Sequence, residues 1–172
     1  FITAPDDAIE TIANEVRWHR EIGVAHCSGA ESASILEAAR EQGAAVGSFH
    51  PMQTFPEINQ GPTTLSGIAF AVEGPSPLID TLRAMAYALG GWPVEISPEH
   101  RALYHLSGFL ACGAVITLMG QAADLWRVMG YTKEQGLEVL LPILRSTVDS
   151  LEDQGIPAAL TGPISRGDVG TV

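Results

Sequence analysis

The feature that most constrains this chain is the run from Ser97 to about Met129, SPEHRALYHLSGFLACGAVITLMGQAADLWRVM. Ser97 is a favourable N-cap, Pro98 sits where a missing N–H costs nothing, and Glu99 suits the positive end of a helix. The run predicts one unbroken helix of about 45–50 Å at 1.5 Å per residue. From Leu103 to Leu118 it holds no Asp, Glu, Lys or Arg, and apolar side chains fall on every side of the helical wheel. Such a helix is buried in a large core or packed in an oligomer. At 172 residues the chain is small for the first option, so a second subunit is expected.

Upstream, Phe1 to Ala4 has the character of the end of a buried strand, and Pro5-Asp6-Asp7 supplies a turn. Asp7 and Glu10 stand at capping-box spacing, with Ile9, Ile12, Ala13 and Val16 following at helical spacing up to Gly23. Val24–Cys27 predicts a strand. Ser28-Gly29-Ala30 predicts a turn into a helix with Ile35, Leu36 and Ala39 inward, and Ala44–Phe49 a third strand. Strands alternating with helices at this spacing predict a parallel sheet with crossover helices.

Beyond a polar loop at Gly61–Ser66, Ile68–Glu73 predicts a strand and Trp92–Ile96 a short edge strand. Between these two, Ser76–Leu89 predicts a helix with Leu78, Leu82, Met85 and Leu89 inward. The class then changes from α/β to all-α, which places domains at 1–97 and 98–172. Thr132 and Gln135 form a second capping-box pair, opening a helix to about Gln154 whose stripe runs Leu137, Leu140, Leu141, Leu144, Val148 and Leu151. Pro142 is expected to kink it, and Gly155 and Pro157 to end it.

The net charge of -11, with only 9 Lys+Arg, argues against nucleic acid and against anionic membrane surfaces. No run reaches about 18 apolar residues without a Ser, His or Gly interruption, so no membrane partner is expected. Two distant cysteines, Cys27 and Cys112, suggest a reducing, cytoplasmic setting. The chain opens at Phe1, inside a strand, and is expected to be a fragment of a longer protein.

In a parallel sheet, ligands bind beyond the carboxyl ends of the strands. Three segments lie there: Ala4-Pro5-Asp6-Asp7, His26-Cys27-Ser28-Gly29-Ala30, and Ser48 to Phe55. They are expected to line one crevice, with the long helix as its far wall. His50, stiffened by Pro51, is the foremost candidate for an acid/base or for a hydrogen bond to substrate. Tyr104 and His105, on the first turns of the long helix, are candidates for the same chemistry. His26 at a strand tip, Ser28 as a cap, Cys27 as packing, and Asp6 and Asp7 as helix caps all have simpler structural readings. No metal-binding spacing occurs, and neither GxGxxG nor GxxxxGK[ST] is present, so these residues alone are not expected to hold a dinucleotide.

The segments TAPDDAI, HCSGA, GSFHPMQTF, FAVEGP, LGGWP, RALYH, LLPILRST and ALTGPISRGD resemble a bacterial family of Rossmann-like NADP-dependent oxidoreductases. The C-terminal half of that family is a domain of unknown function. Broader relatives carry a helical C-terminal domain like that of 6-phosphogluconate dehydrogenase. They include pyrroline-5-carboxylate reductase, ketopantoate reductase and prephenate dehydrogenase, the last of which shares the HPM motif.

The resemblance implies an α/β plus all-α chain: the C-terminal half of a Rossmann-like parallel sheet followed by a helical dimerisation domain. It also implies a small-molecule substrate, a homodimer, and NADP or NAD held with an N-terminal glycine-rich unit outside this chain. By it His26, Ser28 and Gly29 line the nicotinamide side, beside Pro5 and Asp6 at the first strand end, while His50, Tyr104 and His105 face the substrate. Gly113 stands where such relatives commonly place Asn. The alternatives are a non-catalytic dimerisation or binding module with a vestigial Rossmann half, and a prephenate-dehydrogenase-like enzyme.

Overall fold

A computed structural model describes residues 1–56 and 61–170. The chain forms two compact units, Phe1–Cys112 and Gly113–Val172.

The first unit is a four-stranded sheet in the order β1 (Gly23–His26), β2 (Ala45–Pro51), β3 (Ala69–Glu73), β4 (Trp92–Glu95). Ile2 adds a parallel bridge beside His26, the remnant of the strand expected at Phe1–Ala4. Successive residues of a strand face opposite sides, and both sides are covered. Val24 and Val46 pack with Ile9 and Ala13 of α1 (Asp6–Glu15) and with Leu36 and Ala39 around α2 (Glu37–Glu41). Ala25, Phe49, Phe70 and Val72 pack with Leu82 and Ala86 of α3 (Leu78–Ala88). A sheet covered on both faces explains why its strands read as apolar runs rather than alternating ones.

The pairing is only mostly parallel. β1 with β2 and β3 with β4 are parallel, but β2 and β3 run antiparallel. Parallel neighbours need a crossover, usually an α-helix. Between β2 and β3 the described residues offer only the 3₁₀ turn Pro62–Leu65, so the chain returns in the opposite direction. Local capping also differs from expectation. Pro5 is the N-cap of α1, no side chain caps it, and Asp6 and Asp7 lie inside the first turn, where their charge complements the helix dipole. The helix stops at Glu15, leaving Val16 extended and exposed.

The long helix forms from Pro98 to Val128 with changing winding: a 3₁₀ turn Pro98–His100, α4 (Arg101–Phe109), a π turn Leu110–Ala114, and α5 (Val115–Val128). Ser97 does not cap it; its Oγ pairs with His100 Nδ1 at 3.0 Å. The division between the two units falls inside the π turn. Burial in the chain's own core is not realised. Within α4 and α5 only Arg101 and Ala123 are buried, while Leu103, Leu110, Ile116, Leu118 and Val128 are each more than half exposed. An 18-residue window within this helix has a mean hydropathy of 1.6, so by length and composition alone the helix is long and apolar enough to cross a membrane.

The second unit pairs α5 with α6 (Lys133–Ala159), followed by the short α7 (Pro163–Arg166). The capping box at its start is formed: Gln135 N–H donates to Thr132 Oγ1 (3.2 Å) and Thr132 N–H to Gln135 Oε1 (2.9 Å). Gly136 lets the helices touch, since a Cβ there would lie 2.8 Å from the Trp126 side chain. The backbone of α6 leaves helical angles at Gly155 (φ 73°, ψ 170°) rather than at Pro142.

Candidate functional site

The site is assembled inside the first unit from three places. β2 delivers His50 near its carboxyl end, the loop after β1 delivers Ser28 and Gly29, and α4 delivers Arg101, Tyr104 and His105. His50 Nδ1 and the Tyr104 hydroxyl are 2.8 Å apart, with their rings nearly perpendicular. A Cβ on buried Gly29 would sit 2.7 Å from His50 Nε2 and 3.0 Å from His105 Nδ1. Both imidazoles therefore press on one bare Cα, which is the physical reason for glycine there.

Burial above all, then the charge of Arg101 and of His105, pushes the His50 pKa down to about 4; Asp6 opposes weakly. Burial pushes the Tyr104 phenol up to about 12, against the opposing influence of Arg101 and the Ala71 backbone. At neutral pH the pair is thus a neutral imidazole beside a protonated phenol. The phenol O–H donating to Nδ1 leaves the ring proton on Nε2, the atom beside Gly29 (the tautomer is inferred from this pairing). A base with a pKa near 4 is too weak for general-base work at neutral pH. The arrangement suits a hydrogen-bond donor to a carbonyl or imine far better.

A cavity of about 310 Å³ opens beside His50. His50, His105, Gln53 and Thr54 line its polar part, and Met52, Gly108, Phe109 and Cys112 its apolar part. The π turn supplies Cys112, in keeping with the frequent use of such turns at functional sites. A separate cavity of about 430 Å³, between Phe1, β1 and α3, is lined mainly by Leu78, Leu82 and Met85, away from the histidines.

Arg101 is the residue that sequence reading missed. It is only 2% exposed, its Nη2 donates to the Ser28 carbonyl (2.7 Å), and its guanidinium stands 5.8 Å from the Tyr104 ring centroid. Its Nε and Nη1, with Ser48 Oγ and Glu73 Oε2, have no hydrogen-bond partner among the described residues. The available signal was a lone arginine one helical turn before Tyr104, at the head of an otherwise uncharged stretch.

The residues expected on the nicotinamide side are otherwise engaged. His26 is fully buried; its Nδ1 accepts from Ser28 N–H and its Nε2 pairs with the Ser32 carbonyl, both at 3.1 Å. Burial lowers its pKa, which fits a neutral ring. Ser28 Oγ accepts from the Ala30 and Glu31 amides at 3.2 and 3.1 Å, so it caps its own turn while Ser32 caps the next. Pro5 and Asp6 are exposed, and Asp6 reaches the cluster only through its charge. Burial raises the Cys27 thiol, which suits packing rather than nucleophilic attack. Among the described residues no group of acidic, His or Cys side chains forms a metal site. With these side-chain atoms spent inside the loop and no glycine-rich phosphate turn present, the described residues do not by themselves fit a dinucleotide.

A mostly parallel sheet whose loops meet a long helix defines the class: a Rossmann-like half followed by a helical region, the fold of NADP-oxidoreductase-like proteins. The chain belongs to the family described as a domain of unknown function, DUF2520, whose model matches residues 68–172. Among solved structures, protein TM1727 of Thermotoga maritima superposes with a TM-score of 0.84 at 23% identity, over 99% of this chain and 65% of that one. BF3122 of Bacteroides fragilis, assigned as an NADP oxidoreductase, gives 0.75 at 23% identity, over 98% and 63%. Pyrroline carboxylate reductase of Plasmodium falciparum, with NADP bound, gives 0.64 at 13% identity, over 96% and 66%. The chain thus spans 65% and 63% of the first two relatives' lengths. No curated protein matches significantly.

Proposed function

We propose that this chain is the substrate-side and dimerising part of an NAD(P)-dependent oxidoreductase of the hydride-transfer class, working in a cytoplasmic setting. The observation that carries the reading is the 2.8 Å pairing of His50 with Tyr104 at the cavity, against Gly29. In this reading Tyr104 orients the imidazole through Nδ1. His50 Nε2–H then donates to the oxygen or nitrogen of the reacting double bond and stabilises the charge that develops there. Met52 and Phe109 supply the apolar side of the cavity. The cofactor, when bound, supplies the hydride, and its phosphates are held outside this chain.

Dimerisation through the long helix is part of the proposal. Support comes from Leu103, Ile116 and Leu118 being 64–71% exposed on a helix that carries the polar site at one end. A second copy covers such a stripe without placing Tyr104 and His105 in lipid, as a membrane would. The test uses the full-length protein. NADPH or NADH should raise its melting temperature, and no response to either removes the oxidoreductase reading. His50→Asn should lower kcat about a hundredfold with cofactor affinity unchanged; an unaltered rate removes the role given to His50.

A further inference from the structure

We infer that Arg101 and Glu73 are positioning residues of this site: from α4 and β3 they grip the two ends of loop 28–33 and so hold Gly29 against His50 Nε2 and His105 Nδ1. The inference goes beyond the oxidoreductase reading and does not rest on it, because it concerns the geometry of the loop and no cofactor.

Two hydrogen bonds make the grip. Arg101, the first residue of α4, donates from Nη2 to the Ser28 carbonyl at 2.7 Å, just past the end of β1. Glu73, the last residue of β3, accepts from the Ala33 amide through Oε1 at 3.0 Å, where the loop enters the 3₁₀ turn Ala33–Leu36. His26, Ser48 and Glu73 stand opposite one another on β1, β2 and β3, so their side chains share one face of the sheet. Arg101 and Glu73 act on each other through their fields rather than by a bond. Glu73 Oε2 and Arg101 Nε and Nη1 have no hydrogen-bond partner among the described residues.

Between its ends the loop is tied to itself. Ser28 Oγ accepts from the Ala30 and Glu31 amides, and the His26 ring pairs with the Ser28 amide and the Ser32 carbonyl. Holding both ends therefore holds Gly29, whose bare Cα lies under the two imidazoles. A guanidinium and a carboxylate drawn out of water add little to stability, often less than apolar residues of the same volume. Here each charge is spent on a backbone atom of one loop. What the couple supplies is the placement of that loop, and without it Gly29 lifts and water reaches His50.

The experiment is NMR on the full-length protein. In the wild type the Ala30, Glu31 and Ala33 amides should exchange at least about a hundredfold more slowly than in an unfolded chain, and weaker protection overturns the inference. Arg101→Met should speed exchange at Ala33, the far end of the loop, at least about tenfold while the β2–β3 ladder keeps its protection. An unmoved Ala33 makes the two bonds independent contacts. A ladder that loosens as well makes the couple a support of the whole sheet. Either result overturns the inference.

Glu73→Ala gives a readout that lost charge alone would not. The charges that act on His50 are those of Arg101, His105, Asp6 and His26, and removing a carboxylate would in any case lower an imidazole pKa rather than raise it. A lifted loop wets the ring, so the His50 titration should rise from about 4 towards 6.5. Glu73→Gln keeps an oxygen for the Ala33 amide and should leave it near 4. A titration that is unmoved or lowered in Glu73→Ala, or raised equally in Glu73→Gln, overturns the inference. The oxidoreductase reading is decided separately, by the melting response to NADPH or NADH.

Discussion

The two compact units solve the burial problem differently. In the first, helices cover both faces of a sheet, and Ile9, Leu36, Phe70, Val72 and Leu82 are each at most 1% exposed. In the second, only Ala123 and Gly136 are buried among the described residues, and the stripe on α6 meets its partner so thinly that Val148 and Leu151 are 54% and 42% exposed. A periodic stripe shows that a face wants burial; it does not show that the chain owns enough surface to bury it. The sheet of the first unit is covered by its own helices, whereas the apolar faces of the second stay largely open among the described residues.

Five measurements sharpen or break this comparison. Leu82→Ala, in the closed core, should destabilise the first unit by about 2–5 kcal/mol in denaturant melts. Leu118→Ala on the open face should change the same measurement by less than about 0.5 kcal/mol at concentrations where subunits dissociate. Equal losses would erase the contrast.

Next in size is Gly136→Ala. A Cβ there falls 2.8 Å from Trp126 and 3.1 Å from the Ala123 carbonyl, so the helices must part, at a cost of about 1–3 kcal/mol. A neutral result would mean the hairpin is looser than its geometry. The double change Leu118→Glu with Leu125→Glu should leave single-chain stability nearly untouched while halving the mass seen by light scattering. A wild type already monomeric at micromolar concentration would refute the dimer.

The smallest effect is one of pH. The pKa of His50 in the folded chain, about 4, is below its unfolded value of 6.5. Between those values the unfolded chain binds the extra proton, so this contribution to stability is full above pH 6.5 and is lost as pH falls towards 4. His50→Asn should flatten that part of the profile. Arg101→Met should raise the His50 pKa, read by proton NMR, because it removes a neighbouring positive charge. An unmoved His50 titration would show that burial alone sets it.

Much of the secondary structure was legible because its causes are local. The stripes Leu36–Ala39 and Leu78–Leu82 rest on helical periodicity, and the Thr132–Gln135 box on two residues three apart, so neighbours along the chain decide them. The Asp7–Glu10 pair shows the limit of that reasoning. The same spacing failed because α1 begins earlier, at Asp6 after Pro5, which moves both residues past the cap.

The site was legible as a list of members but not as a meeting. Strand ends and the start of the long helix named His50, Gly29, Tyr104 and His105 as candidates. Their contact joins positions 54 residues apart, and the Arg101–Ser28 bond positions 73 apart. No local pattern encodes a distance of that kind. The same holds for the reversed β3, whose described connection from β2 holds no crossover helix, and for His50's neutrality, which follows from burial and a cation on another element. By itself, then, the sequence determined the helices, the apolar strands and the surplus of grease in its longest helix, because those depend on periodicity and composition. Which way the strands pair, which histidine loses its proton, and which apolar face stays uncovered were decided only when distant segments packed, since each depends on what lies opposite in space rather than next in the chain.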